Sequence, residues 1–173
     1  MPSLLEIAQE PLMEKPEEGS RPWLDPISVP PRLGSVYPAP FGEPLAGREE
    51  RALGDPLKLT QVGVNLVTLA RGSWSSQRHW HANEDEFVYV LEGQVTLVTD
   101  AGEQVLGPGM AAGFPAGEAD GHHPINQSDK PALYLEVGTR AENEEAQYSD
   151  IDMMVRKEGG RFVFMHKNGE PYP

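Results

Sequence analysis

Residues 72–93 read GSWSSQRHWHANEDEFVYVLEG and contain the features that decide the fold. Side chains two positions apart on a strand point to the same face, so His79 and His81 share a face and Trp80 lies opposite. Glu86 follows after a short polar loop and begins the alternating run EFVYVL. A hairpin would bring Glu86 beside the two imidazoles, and two nitrogens with one carboxylate form a set that suits first-row divalent metals.

Short β-type runs, separated by glycine and proline, extend from about Leu57 to Thr139. The runs cover residues 59–69, 86–91, 94–99, 103–106 and 132–137. Many short strands at close spacing are typical of an antiparallel sandwich or barrel. We therefore predict an all-β protein with a single antiparallel barrel, and one further edge strand and turn near residues 161–170.

Proline usage divides the chain into three parts. Ten of the 17 prolines lie in residues 1–55, which excludes long helices and central strands there. This stretch also contains Trp23, Ile27 and Phe41, so we predict an extended arm packed on the barrel or on a partner subunit. Residues 56–141 are predicted to form the barrel, and residues 142–173 an acidic segment with the C-terminal edge strand and turn. The acidic run AENEE, residues 141–145, is expected to be a solvated face.

Charge and composition exclude several classes of function. The formal net charge of −13 argues against nucleic acid or an anionic membrane as a partner, because both need clustered lysine and arginine. No apolar run is long enough to span a membrane, and the N-terminus lacks the features of a signal peptide. The absence of cysteine excludes disulfides and thiolate chemistry. We expect a cytoplasmic protein whose partner is a small molecule.

A fourth ligand is expected from residues 109–126, which read GMAAGFPAGEADGHHPIN. His122 is the candidate, and in an extended segment it shares a face with Asn126, whose amide would hold a nearby backbone group in position. His123 is the alternative, because neighbours on a strand face opposite ways and only one of the two histidines would point inward.

The two stretches together resemble the two sequence motifs of the cupin superfamily. The first motif, with its framing glycines, His-x-His pair and glutamate, is matched by Gly72, His79, His81, Glu86 and Gly93. The second motif, with Gly, Pro-x-Gly and His-x-x-x-Asn, is matched by Gly109, Pro115, Gly117, His122 and Asn126. Two spacers depart from the pattern: six residues rather than five follow Gly72, and four rather than two follow Gly117.

The resemblance extends from Gly72 to Thr139 and implies a jelly-roll type cupin barrel. It also implies one divalent transition metal per chain, bound by His79, His81, Glu86 and His122, and the His-x-x-x-Asn spacing favours His122 over His123. Iron, manganese, nickel, copper, cobalt and zinc all suit this ligand set, whereas calcium and magnesium favour oxygen ligands. The competing interpretation is a barrel that keeps these side chains as a polar network without metal.

The resemblance implies a metal-dependent enzyme that acts on a small oxygenated metabolite, by dioxygenase-like chemistry or by Lewis-acid isomerase or decarboxylase chemistry. No catalytic residue is assigned. The alternative is a non-catalytic cupin that binds or senses a small molecule, and the chain also resembles small bacterial single-domain cupins of unassigned role. Arg71 and Arg78 are the candidates for binding an anionic substrate, but strand alternation places neither of them inside, which weakens the sugar-phosphate interpretation.

Cupin barrels commonly pair. The proline-rich arm offers a means of pairing, because it can add an edge strand to a neighbouring sheet. We therefore predict a homodimer.

Overall fold

The computed structural model describes residues 22–173, which form thirteen β-strands and two short 3-10 helices. The strands are β1 (Arg32–Leu33), β2 (Arg48–Ala52), β3 (Val62–Leu69), β4 (His79–His81), β5 (Glu86–Glu92), β6 (Val95–Thr99), β7 (Gly102–Leu106), β8 (Ala111–Phe114), β9 (His123–Ile125), β10 (Ala132–Thr139), β11 (Glu145–Tyr148), β12 (Met154–Glu158) and β13 (Arg161–Met165). The 3-10 helices cover Pro26–Ser28 and Glu43–Leu45. No helix in this range is long and apolar enough to cross a membrane.

A six-stranded antiparallel sheet forms one wall of the molecule, in the order β1-β2-β3-β10-β5-β8. Strand β5 shows the alternation that its sequence predicts: Val88 and Val90 are buried, whereas Phe87 and Tyr89 point outward and are exposed. The central strand β10 pairs with β3 along its whole length and with β5 on its other side. Every second side chain of β5 therefore points to the interior of the molecule.

The opposite wall contains two smaller antiparallel sheets, ordered β13-β12-β11-β4 and β7-β6-β9. An isolated bridge between His79 and His122 joins β4 to the residue before β9. The main core fills the space between the six-stranded sheet and the β7-β6-β9 sheet, and its buried members are Val67, Leu69, Val88, Val90, Val95, Leu97, Leu106, Ala132 and Tyr134. A second apolar cluster forms on β11 and β12, around Met153 and Tyr148.

The arm predicted for residues 1–55 lies partly outside the described residues, since these begin at residue 22. Between residues 22 and 47 the described chain forms the two 3-10 helices and the short strand β1, and Leu45 packs inward at 2% exposure. Strand β2 also falls within the range assigned to the arm, yet it pairs with β1 on one side and β3 on the other. The sheet thus begins before residue 56, and it can do so because residues 45–55 contain no proline.

Residues 142–173 contribute more β-structure than a single edge strand. Three strands, β11 to β13, form successive hairpins, and β13 lies at the edge of its sheet. The all-β prediction for the chain is confirmed, since strands that pair only in antiparallel fashion make up both walls of the described molecule.

Candidate metal centre

The four predicted ligands come from three places that the sheets bring together. His79 and His81 lie on β4, which β11 holds in register by pairing Tyr148 with His79 and Ala146 with His81. Glu86 is the first residue of β5 on the opposite sheet. His122 is joined to His79 by a pair of backbone hydrogen bonds, with N···O distances of 3.2 and 2.8 Å.

The ligand atoms of these four side chains converge on one point. The Nε2 atoms of His79 and His81 lie 3.0 Å apart, and His81 Nε2 lies 3.1 Å from Glu86 Oε2. His122 Nε2 lies 3.4 Å from the same carboxylate oxygen. Three of the four, His79, His81 and Glu86, form a group whose ligand atoms all lie within 4.8 Å of one another, so these residues could hold a metal ion. His81 also belongs to a second group of this kind, with Glu84 and Glu144.

The outer ring nitrogens explain why a cation fits this centre. His79 Nδ1 lies 2.9 Å from the Gln77 carbonyl oxygen, and His122 Nδ1 lies 3.2 Å from the Asp120 carbonyl oxygen. A carbonyl oxygen only accepts, so each Nδ1 carries the hydrogen and each Nε2 presents a lone pair to the centre. Two nitrogen lone pairs and a carboxylate oxygen that face one another at close range suit a divalent transition metal.

Glu144, which was not among the site residues predicted from the sequence, contacts the imidazole of His81 on the side away from the centre. Its Oε1 lies 3.1 Å from His81 Nδ1, and its Oε2 accepts a 3.0 Å hydrogen bond from the Asn83 backbone N–H. The acidic run at 141–145 was expected to be solvated, which is wrong for Glu144 because this side chain is 2% exposed. One signal was available: Glu144 has the strand parity of the apolar residues Ala146 and Tyr148.

The pKa shifts follow from burial and from this pairing. Burial, followed by the nearby charge of His81, lowers the pKa of His79 to about 3, so its imidazole is neutral. Burial also acts to lower the pKa of His81, but hydrogen bonds to Glu144 and Glu86 outweigh it and raise this pKa to about 10. Burial acts to raise the pKa of Glu86, but the close approach of the His122 and His81 imidazoles outweighs burial and lowers it overall. A carboxylate and a neutral imidazole are the forms that bind metal, so Glu86 and His79 are in the binding form, whereas a metal that binds His81 would displace its proton.

The adjacent histidines face different surroundings. His122 points to the centre, and the ring of Phe114 stacks on it with centroids 3.5 Å apart. His123 instead places Nδ1 2.9 Å from the Ser76 carbonyl oxygen and packs edge-on against Trp74. Asn126 donates from Nδ2 to the carbonyl oxygens of Leu69 and Lys130, at 2.8 Å each. It thereby holds the chain just beyond the two histidines, the kind of role that the sequence predicted for it.

Two cavities reach the centre. The larger has a volume of about 730 Å³, and its lining includes His79, His81 and Glu86. The smaller, of about 290 Å³, is lined by His81 and His122 among others. A small molecule that enters the larger cavity therefore contacts three of the four candidate ligands, His79, His81 and Glu86.

Comparison with known proteins identifies the class of fold. The cupin domain model matches residues 65–138, the part of the chain that holds all four candidate ligands. The protein belongs to the cupin superfamily, as the two sequence motifs implied.

Solved structures of similar proteins extend this relationship beyond the barrel. A cupin from Silicibacter pomeroyi DSS-3, described as a sugar phosphate isomerase, is 48% identical, and the match covers 88% of this chain and 97% of that one with a TM-score of 0.84. A protein from Acidithiobacillus ferrooxidans, described as a putative sugar phosphate isomerase, is 27% identical over 70% of this chain and 77% of that one, with a TM-score of 0.65. A predicted oxalate decarboxylase from Thermotoga maritima shares the fold at 16% identity, 69% and 99% coverage and a TM-score of 0.55. Comparison with curated protein sequences found no match.

Proposed function

We propose that this cupin is a metal-dependent enzyme that isomerises a small hydroxy-carbonyl compound. The observation that carries the proposal is the convergence of His79, His81, Glu86 and His122. The first three of these line a cavity large enough for a metabolite of that size. The resemblance to a protein described as a sugar phosphate isomerase, at 48% identity, supports this class of chemistry over oxygenase chemistry.

The side chains have separate roles in this proposal. His79, His81, Glu86 and His122 would hold one divalent transition metal, which when bound would act as a Lewis acid that polarises the substrate carbonyl. Gln77 and Asp120 fix the tautomers of His79 and His122 through their carbonyl oxygens, and Glu144 orients His81. Phe114 limits the rotation of His122 by stacking on its ring.

The first test is elemental analysis of the purified protein beside His81→Ala. We expect near-stoichiometric transition metal in the wild type and its loss in the variant, because the variant removes a central nitrogen ligand. His166→Ala is the matched control, since His166 bonds to Asp152 on the surface and lies outside the centre. Zinc or manganese would favour isomerase substrates, and iron or copper would redirect the search to oxygenase substrates.

The second test separates turnover from binding. The metal-loaded protein is incubated with hydroxy-aldehydes and hydroxy-ketones in D₂O, and NMR follows deuterium entering the carbon beside the carbonyl. Deuterium incorporation that His81→Ala abolishes supports isomerisation. The same spectra also report conversion between aldose and ketose, which a hydride shift would give without deuterium. A protein that binds metal and sugar with neither deuterium exchange nor conversion would instead be the non-catalytic binding or sensing cupin. Wild type that takes up no metal after incubation with each candidate ion would overturn the metal-dependent function.

A further inference from the structure

A second polar group lines the same cavity as the metal centre. Four side chains compose it, and we call them the inner polar cluster: Arg48, Glu50, Asn65 and Glu136. They come from the neighbouring strands β2, β3 and β10, and Asn65 lies directly opposite Glu136 in the β3–β10 ladder. The Arg48 guanidinium bonds to Glu50 and lies 3.9 Å from Glu136 Oε1, which accepts a 3.1 Å hydrogen bond from Asn65 Nδ2.

The cluster lies within reach of a molecule bound at the metal centre. Gly138 pairs with Glu86 and Glu136 pairs with Val88 in the β10–β5 ladder, so Glu136 is the diagonal neighbour of Glu86. Diagonal partners on one face of antiparallel strands have Cα atoms about 7–8 Å apart. A single ligand of the size of a sugar can therefore contact the metal centre and the cluster together.

The cluster has unused hydrogen-bonding capacity. Within residues 22–173, the buried side-chain atoms that lack any hydrogen-bond partner are Arg48 Nε and Tyr134 Oη. The side chain of Arg48 is only 14% exposed, so bulk water gives it little compensation. Buried donors without partners are rare in proteins, because their desolvation is uncompensated. An oxygen atom supplied by a ligand would satisfy this guanidinium donor.

The charge of the cavity selects against a phosphate group. Seven Asp and Glu side chains and four Arg and Lys side chains line it. With the histidines counted as neutral, as they would be when bound to metal, this is a formal excess of negative charge that a divalent metal would reduce but not remove. Each of the four cations is already paired with a carboxylate: Arg32 and Arg140 with Asp55, Arg48 with Glu50, and Lys157 with Glu84. Arg71 and Arg78, the cations that the sequence offered for anion binding, pair with Asp129 and with Asp100 and Asp150 and do not line the cavity.

Hydroxyl groups match the cluster better, because each hydroxyl both donates and accepts and carries no charge. We propose that the inner polar cluster is a hydroxyl-binding subsite, and that the cavity accepts a neutral polyhydroxylated carbonyl compound in preference to its phosphate ester. This inference rests on the proposed function, since it assigns the carbonyl end of the ligand to the metal centre. The alternative is that the cluster has a purely structural role and stabilises the packing of β2, β3 and β10. Buried ion pairs are weak evidence for such a role, because their desolvation costs as much as their attraction gains.

The test is calorimetric titration of the metal-loaded full chain with two matched pairs of probes. The pairs are D-ribose with D-ribose 5-phosphate and D-fructose with D-fructose 6-phosphate. At least one neutral sugar should bind, and its phosphate ester should bind at least about tenfold more weakly. Asn65→Leu and Arg48→Met should each weaken the binding of the neutral sugar about tenfold or more, with metal content unchanged.

Arg51→Met is the matched control, because Arg51 lies on the same strand with its side chain on the other face, bonded to Glu49 and Val29. It should bind the sugar as the wild type does. If Arg48→Met does not fold, Asn65→Leu decides the matter by itself. Tighter binding of the phosphate esters, failure of both neutral sugars to bind, or binding that Asn65→Leu leaves unchanged would each overturn the subsite.

The result also separates the two proposals. If the protein takes up no metal but binds sugar in a way that depends on Asn65, the metal-dependent function is refuted and the subsite is supported. If the protein binds metal fully and catalyses deuterium exchange, but Asn65→Leu does not change sugar binding, the function is supported and the subsite is refuted.

Discussion

Glu144 shows how a residue that does not face the metal position can set the properties of the centre. Its carboxylate binds His81 Nδ1 on one oxygen and the Asn83 backbone on the other, in a site that is almost fully buried. A carboxylate behind a ligating imidazole fixes its orientation and increases its basicity. Glu144 is therefore a positioning residue for the metal centre.

We predict that Glu144→Gln weakens metal affinity about 10–100-fold, the range typical when such outer partners are removed. Competition with a chromogenic chelator measures the change, and Glu144→Asp should recover part of the loss. Glu145→Gln is the control, since Glu145 pairs with Arg156 near the surface. A purely structural role for Glu144 would lower the melting temperature of the metal-free protein and leave the metal dissociation constant as in the wild type.

Glu136 is the second residue whose surroundings give a measurable property. Burial, reinforced by the negative charge of Glu86, raises its pKa to about 7 although Arg48 opposes the shift. The ordinary pKa of a glutamate carboxyl is 4.5, so between about pH 4.5 and pH 7 the folded state binds the proton that the unfolded state has released. Protonated Glu136 thus contributes stability at low pH, and this contribution is lost as the pH rises through 7.

We predict that Glu136→Gln removes this dependence in the metal-free protein. The free energy of unfolding of the wild type minus that of the variant should fall as the pH rises from 5 to 8, because only the wild type has a buried carboxyl to ionise. Urea titrations across this range measure the difference, and the subtraction cancels the titration of the histidines. A difference that stays constant with pH would show that the pKa of Glu136 is not raised.

At the scale of elements, the turn between β5 and β6 depends on one glycine. Gly93 has φ of +70°, and a Cβ there would lie 2.5 Å from the Pro131 carbonyl oxygen and 2.9 Å from Ala132 Cα. Both neighbours are backbone atoms at the start of β10, so they cannot rotate away. Gly109 has a similar φ of +84°, but a Cβ there would meet no atom within 4 Å. A side chain at Gly109 would therefore introduce backbone strain only, whereas a side chain at Gly93 would introduce the same strain and a steric clash with β10.

We predict that Gly109→Ala lowers the free energy of unfolding by about 1–2 kcal/mol, the cost of left-handed backbone for an L-residue. Gly93→Ala should lower it by about 3–4 kcal/mol, because the contact with β10 adds to the same strain. Denaturant titrations of the two variants give the comparison. Equal losses would mean that the turn shifts away from β10 without penalty.

At the scale of the whole molecule, the outer face of the six-stranded sheet carries an apolar row. Tyr89, Leu135 and Leu66 lie side by side across β5, β10 and β3, and Phe87 and Leu91 flank Tyr89 at 43% and 37% exposure. Exposed apolar patches of this kind are typical of interfaces between subunits. The row is self-complementary in chemistry, as a two-fold interface between identical chains requires.

We predict a homodimer that buries this row. Light scattering after size exclusion should give twice the 19.0 kDa mass of the chain, and Tyr89→Glu should shift the protein toward the single-chain mass. Val105→Glu is the control, because Val105 is 50% exposed on β7 and lies away from the row. A wild type with the mass of one chain would refute the dimer.

Strand alternation is a local property, and for this reason the sequence by itself determined the all-β class, the inward direction of His79 and His81, and the inward start of β5 at Glu86. The spacing of His122 and Asn126 likewise selected the histidine that the structure brings to the centre. Only the tertiary structure decided the rest, because it depends on which distant strands pair. Glu144 and His81 are 63 positions apart and meet through the pairing of β4 with β11, whereas Glu136 and Asn65 are 71 apart and meet through β10 and β3. The periodicity of a single strand does not encode such a pairing, since the same alternation of buried and exposed residues is compatible with any neighbouring strand.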